Sequence, residues 1–92
     1  MLKQRKNNKD WNEIYVMYNR VTGEYSATHH YLNRILAVRD FDSIMKNIEK
    51  SRDHFIASDF DYYYLGDYDV STAFLDILSK PEFVKKGVVD DE

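Results

Sequence analysis

The sequence predicts an α+β, two-layer domain, a four-stranded antiparallel sheet with one helix laid across it, in the order strand-strand-helix-strand-strand. Three observations predict it. Asn12–Tyr18 and Tyr62–Leu65 concentrate β-branched and aromatic residues. From Arg34 the apolar residues switch to helical spacing. Gly occurs only at 23, 66 and 87 and Pro only at 81, so each is expected to punctuate.

The first strand is Asn12–Tyr18. Ile14, Val16 and Tyr18 share one face, Tyr15 and Met17 the other, and both faces are apolar. Asn19-Arg20-Val21-Thr22-Gly23 then reads as a hairpin loop, with Asn to start the turn and Gly to take positive φ. Glu24–Thr28 is the second strand. The helix is expected over 34–50, with Asn33 as N-cap. Ala37, Phe41, Ile44 and Ile48 form its core face, flanked by Leu36 and Met45, and Asp42–Lys46 is a favourable i,i+4 pair. Residues 51–59 read as a loop or last helical turn. Tyr62–Leu65 is the third strand, Gly66–Thr72 an acidic turn, and Ala73–Leu78 the fourth strand, stopped by Pro81.

One helix covers one sheet face and leaves the other bare. Tyr15, Met17, Tyr63 and Tyr64 are the apolar side chains expected there, with Tyr15, Met17 and Tyr63 as interface residues. Such a face points to a partner, and a two-fold homodimer through the sheet is the simplest solution. The 92 residues leave room for one domain, placed at 11–81 between a disordered basic arm over 1–10 and an acidic C-terminal tail over 82–92.

The formal charge is −3, but Lys3, Arg5, Lys6 and Lys9 against Asp10 give the arm a net positive charge. Such an arm reads either as a solubilising segment or as a phosphate contact. The acidic remainder does not suit phosphate binding over the whole surface. Zero Cys removes any disulfide and any Cys-built metal or redox site. The polar N-terminus does not resemble a signal peptide and no apolar run suits a membrane span, so an intracellular protein is expected. His29-His30 would point to opposite faces of a strand and does not make a metal site. Asp59, Asp61, Asp67 and Asp69 lack the spacing and closing Glu of a calcium loop. No phosphate loop or nucleophile motif occurs, and a non-enzymatic protein without cofactor or metal is expected. The eight tyrosines fill a core or interface, or stack bases on the sheet, with Trp11 beside the arm.

Several short segments occur in a familiar order. Val16-Met17-Tyr18-Asn19 is followed by Thr22-Gly23-Glu24-Tyr25. Asn33 precedes Ala37-Val38-Arg39-Asp40-Phe41, and Asp61-Tyr62-Tyr63-Tyr64-Leu65-Gly66-Asp67-Tyr68-Asp69 follows. On these the chain resembles the small nonstructural protein of gokushovirus-type microviruses, which are single-stranded DNA phages. The resemblance runs from Ile14 to Phe74. Asn19 stands where Asp is usual, Thr72-Ala73 where Thr-Gly is expected, and the Pro after the second strand is missing. The resemblance implies a protein of the infected bacterial cytoplasm. By analogy it regulates viral single-stranded DNA replication or genome packaging, with no catalytic residues.

The expected function is therefore that of a non-enzymatic regulator, acting on single-stranded DNA, a viral replication protein or a capsid protein. Lys3, Arg5, Lys6, Lys9, Trp11 and Arg39 are its candidate nucleic-acid contacts, although Arg39 could instead pair with Asp40 or Asp42. The alternative is a protein–protein adaptor that never touches nucleic acid.

Overall fold

A computed structural model describes residues 11–50 and 55–89. One helix packs on a curled antiparallel sheet, as expected for α+β, but three strands precede the helix and two follow it. The strands are β1 (Trp11–Asn19), β2 (Glu24–Tyr25), β3 (His29–Tyr31), β4 (Phe60–Asp69) and β5 (Phe74–Lys86). Helix α1 spans Arg34–Lys50, and a 3₁₀ turn over Ala57–Asp59 leads into β4. The sheet order is β2-β1-β4-β5, with β3 sharing β1's outer edge beside β2.

The added strand is the predicted Glu24–Thr28 broken in two. Ser26 takes the place of a regular ladder: its Oγ accepts the Met17 N–H at 3.0 Å, and its own N–H donates to the Met17 carbonyl at 2.8 Å. The chain then rejoins β1 at His29, one residue out of step. His29 and His30 lie opposite Tyr15 and Ile14, hence on opposite faces.

The C-terminal half departs further. Gly66 does not open a turn; it lies inside β4, beside Leu65, which is the extra residue of a bulge against β1. Gly66 has φ +146, and a Cβ there would sit 2.3 Å from the Asp76 carbonyl oxygen of β5. Only glycine lets the two strands approach so closely. Pro81 does not stop β5. It falls in an irregular stretch between Ile77, opposite Gly66, and Glu82, opposite Tyr64, where no ladder partner is required of it. The tail assigned to 82–92 therefore begins as strand, paired through Lys86.

Both hairpins close with the same device. The Asn19 side chain accepts the N–H groups of Val21 and Thr22, and Gly23 follows at φ +77. The Asp69 side chain accepts the N–H and hydroxyl of Ser71, and Ala73 follows at φ +63. Asx-x-x-Thr followed by a left-handed residue is common to both, Asn19–Gly23 and Asp69–Ala73.

Helix α1 starts as expected, with the Leu36 N–H donating to Asn33 Oδ1 at 3.0 Å. It buries Ala37, Phe41 and Met45 completely, while Ile44 and Ile48 pack at the margin. The sheet answers with Tyr15 and Tyr62. Phe41 stacks on Tyr62 at 4.3 Å between ring centroids, and Tyr62 on Tyr15 at 5.2 Å. Asp42 bonds to Lys85 of β5 at 2.8 Å rather than relying on Lys46, tying the helix to the sheet's far strand.

Candidate functional site

The strand registers assign every side chain to one of two faces. Met17 lies opposite Tyr62 and Tyr15 opposite Tyr64, so all four point to the helix. This overturns Tyr15 and Met17 as interface residues. Tyr15 is fully buried and Met17 packs against the core, because the helix covers their face and not that of Ile14 and Val16. Tyr63 does lie on the uncovered face, opposite Val16 and Phe83.

On that outer face an aromatic row crosses four strands: Tyr25 of β2, Tyr18 of β1, Tyr63 of β4 and Phe83 of β5. Successive ring centroids are 4.6, 6.4 and 5.8 Å apart, tilted or edge to face. Tyr25 and Phe83 are each 54% exposed, Tyr18 and Tyr63 half-buried between them. Ile14 and Val16 are buried on the same face, which Leu75 and Ile77 of β5 extend.

Arg20 stands at the rim, fixed by the first hairpin. Its Nε donates to Asp61 Oδ2 at 3.1 Å and its Nη2 to the Ser58 carbonyl, while its backbone N–H bonds to Asp59. Lys86 lies across from Asp61 in the ladder. Burial, followed by the Asp61 carboxylate, pushes the Tyr63 hydroxyl above its ordinary value.

The structure distributes the other predicted contacts differently. Lys3, Arg5, Lys6 and Lys9 lie outside the described residues. Trp11 is not available for base stacking: it is 6% exposed and meets Phe74 edge-on at 6.0 Å. As the first residue of β1 it belongs to the sheet, opposite Asp69. Arg39 is exposed on the helix, on the other side of the sheet from the aromatic row. Tyr18 and Tyr25 were read only among the eight tyrosines and not singled out, and Phe83 was missed. The first two could have been found from the period-two face of Ile14, Val16 and Tyr18 carried through the hairpin. Phe83 could not, because the strand was expected to end before it.

The inner face beyond the helix N-terminus is polar. Tyr15 donates its hydroxyl to Glu13 at 2.7 Å and accepts Arg34 Nε at 3.1 Å. The Arg34 guanidinium lies 5.3 Å from the Tyr64 ring and reaches Glu82 at 3.3 Å. Tyr64 donates to the buried Asp67 at 2.8 Å. Burial, more than its charged neighbours, pushes the Tyr15 hydroxyl up to about 12. The arrangement locks the helix start to three strands. Among the described residues no group of His, Asp and Glu is arranged to hold a metal. No helix among them is long and apolar enough to cross a membrane.

Neither the curated proteins nor the solved structures gave a match to this chain. A family model, described as Phage ORF5 protein, matches residues 12–89. That span takes in the helix, both hairpins and the whole aromatic row. The chain belongs to the Phage ORF5 protein family.

Proposed function

We propose that this phage protein is a non-enzymatic, nonstructural regulator of viral single-stranded DNA replication or genome packaging, and that it works by holding single-stranded DNA on the outer sheet face. The observation that carries the reading is the half-exposed row Tyr25–Tyr18–Tyr63–Phe83 on the face that no helix among the described residues covers. Aromatic rings on a sheet receive unpaired bases without regard to sequence, at roughly 1–3 kcal/mol per base. Arg20 is largely neutralised by Asp61, so the positive charge comes from Lys3, Arg5, Lys6 and Lys9. The microvirus resemblance supplies the genome type, and with it the cytoplasm of the infected bacterium as the place of action.

The test is anisotropy of a labelled single-stranded oligonucleotide, titrated at several salt concentrations. The expected slope of log K against log salt is about −2 to −3. Deleting residues 1–10 should flatten it, and Phe83→Ala or Tyr25→Ala should weaken binding about tenfold without changing it. The exposed Leu75 and Ile77, which have no π-face for a base, favour a second reading. In that reading the same surface is the adaptor site for a viral replication or capsid protein. Absence of oligonucleotide binding at micromolar concentration and low salt would discard the first reading for the second.

A further inference from the structure

We infer that Asp61 is an internal competitor for phosphate on the outer face: it occupies Arg20 and faces Lys86, and a phosphodiester takes both cations from it when single-stranded DNA lies on the aromatic row. This inference rests on the single-stranded DNA reading above. The placement follows from the ladder. Asp61 sits opposite Tyr18 of β1 on one side and Lys86 of β5 on the other. It shares a face with Tyr63, two residues further along β4. Burial raises the Tyr63 hydroxyl most and the Asp61 carboxylate next, so the acid stands beside the ring. Tyr25 closes on the same ring at 6.2 Å between centroids. The charged rim Arg20–Asp61–Lys86 therefore runs along the hairpin end of the row. A strand with its bases on the rings carries its phosphates past such a rim.

Arg20 is held so that it can change partner. Its Nη2 donates to the Ser58 carbonyl and its backbone N–H to the Asp59 carbonyl, so the side chain keeps its place when Asp61 lets go. A guanidinium has five N–H donors, and the Nε bond to Asp61 uses one of them. The Arg20 side chain is 41% exposed and that of Asp61 14%, so the guanidinium is open to a ligand from the solvent side. An ion pair open to water holds weakly, whereas a phosphodiester offers arginine a bidentate seat. Lys86 is exposed and enters no ion pair among the described residues. In the parent chain the carboxylate offsets one of the two cations beside it. Removing its charge leaves both for the ligand.

Anisotropy of a labelled oligothymidylate, titrated with the full chain at several salt concentrations, tests this, with thermal melting as the fold control. Asp61→Asn should bind about fivefold tighter at low salt, and its slope of log K against log salt should steepen by about 0.7, the share of one phosphate on a single strand. Lys86→Gln should bind more weakly, with a slope shallower by about the same amount. Glu24→Gln is the control for net charge. It loses the same charge at the same end of the sheet, but lies opposite Asn19 on the helix side. It should stay within about twofold of the parent. Tighter binding with a steeper slope in Asp61→Asn alone supports the inference. A parent that binds while Asp61→Asn is no tighter, or is matched by Glu24→Gln, overturns it and leaves the DNA reading standing. So does a parent whose affinity is indifferent to Lys86→Gln. If neither the parent nor Asp61→Asn binds at micromolar concentration and low salt, both readings fall.

Discussion

Tyr15 and Tyr62 stack ring on ring in the core, but their hydroxyls have different surroundings. That of Tyr15 joins Glu13 to Arg34. That of Tyr62 is buried beside the Tyr31 hydroxyl, which itself donates to Asp40, and meets no partner at good hydrogen-bond geometry. Removing a buried hydroxyl with poor hydrogen-bond geometry relieves a desolvation penalty, whereas removing one bonded to charged groups loses two charge-assisted hydrogen bonds. Tyr62→Phe should therefore be neutral or stabilising in thermal melts, and Tyr15→Phe should cost about 1–3 kcal/mol. The hairpin turns give a second residue-level contrast. Ala73 occupies the left-handed region that Gly23 fills in the equivalent turn. Ala73→Gly should raise stability by about 0.5–1 kcal/mol, seen as a melting temperature a few degrees higher. The Ser71 hydroxyl and amide, donating to Asp69, hold its carboxyl below the usual range. The unfolded chain then takes up this proton first. The associated stability is complete above the unfolded value near 4 and is lost as pH falls through the lower folded value. Asp69→Asn keeps an accepting oxygen, as Asn19 does, and should melt relatively better than the parent as pH drops from 5 to 2.

At the scale of the element, the bounds and cap of helix α1 were legible, and of its expected core face Ala37 and Phe41, while the flanking Met45 takes the buried place expected of Ile44 and Ile48. Its spacing, its cap and its polar side are local properties, and Phe41 is fully buried as the period requires. Phe41→Ala should cost about 3–5 kcal/mol in chemical denaturation, since it removes the ring that stacks on Tyr62. The strands were legible only where the chain is regular. Asn12–Tyr18 was recognised because nothing interrupts it. β4 was cut short at Gly66 because a glycine required by the close passage of Asp76 looks the same in sequence as one required by a turn. β5 was cut short at Pro81 because the irregular pairing that tolerates a proline depends on β4, which is not local information. The repeated turn was also missed, since Asn for Asp and Ala for Gly hide a shared hydrogen-bond pattern. For the site, the alternation of β1 gave the two faces correctly. Which of them the helix would cover was not written in β1, and that choice decided the fate of Tyr15 and Met17.

For the whole molecule, the order β2-β1-β4-β5 makes β4 the strand that joins the two hairpins. Tyr15 is sealed only when Tyr62 arrives, from the far side of the helix. Sheets built from such distant pairings fold slowly, in about milliseconds to seconds. On the ribosome the first hairpin and the helix emerge early, with Tyr15, Phe41 and Met45 unburied until β4 follows. A fragment of residues 1–59 should show no cooperative melt and no near-ultraviolet dichroism, despite containing the entire helix. During synthesis nearly two thirds of this chain thus waits without a completed core, and assembly of the domain is deferred to its last strands.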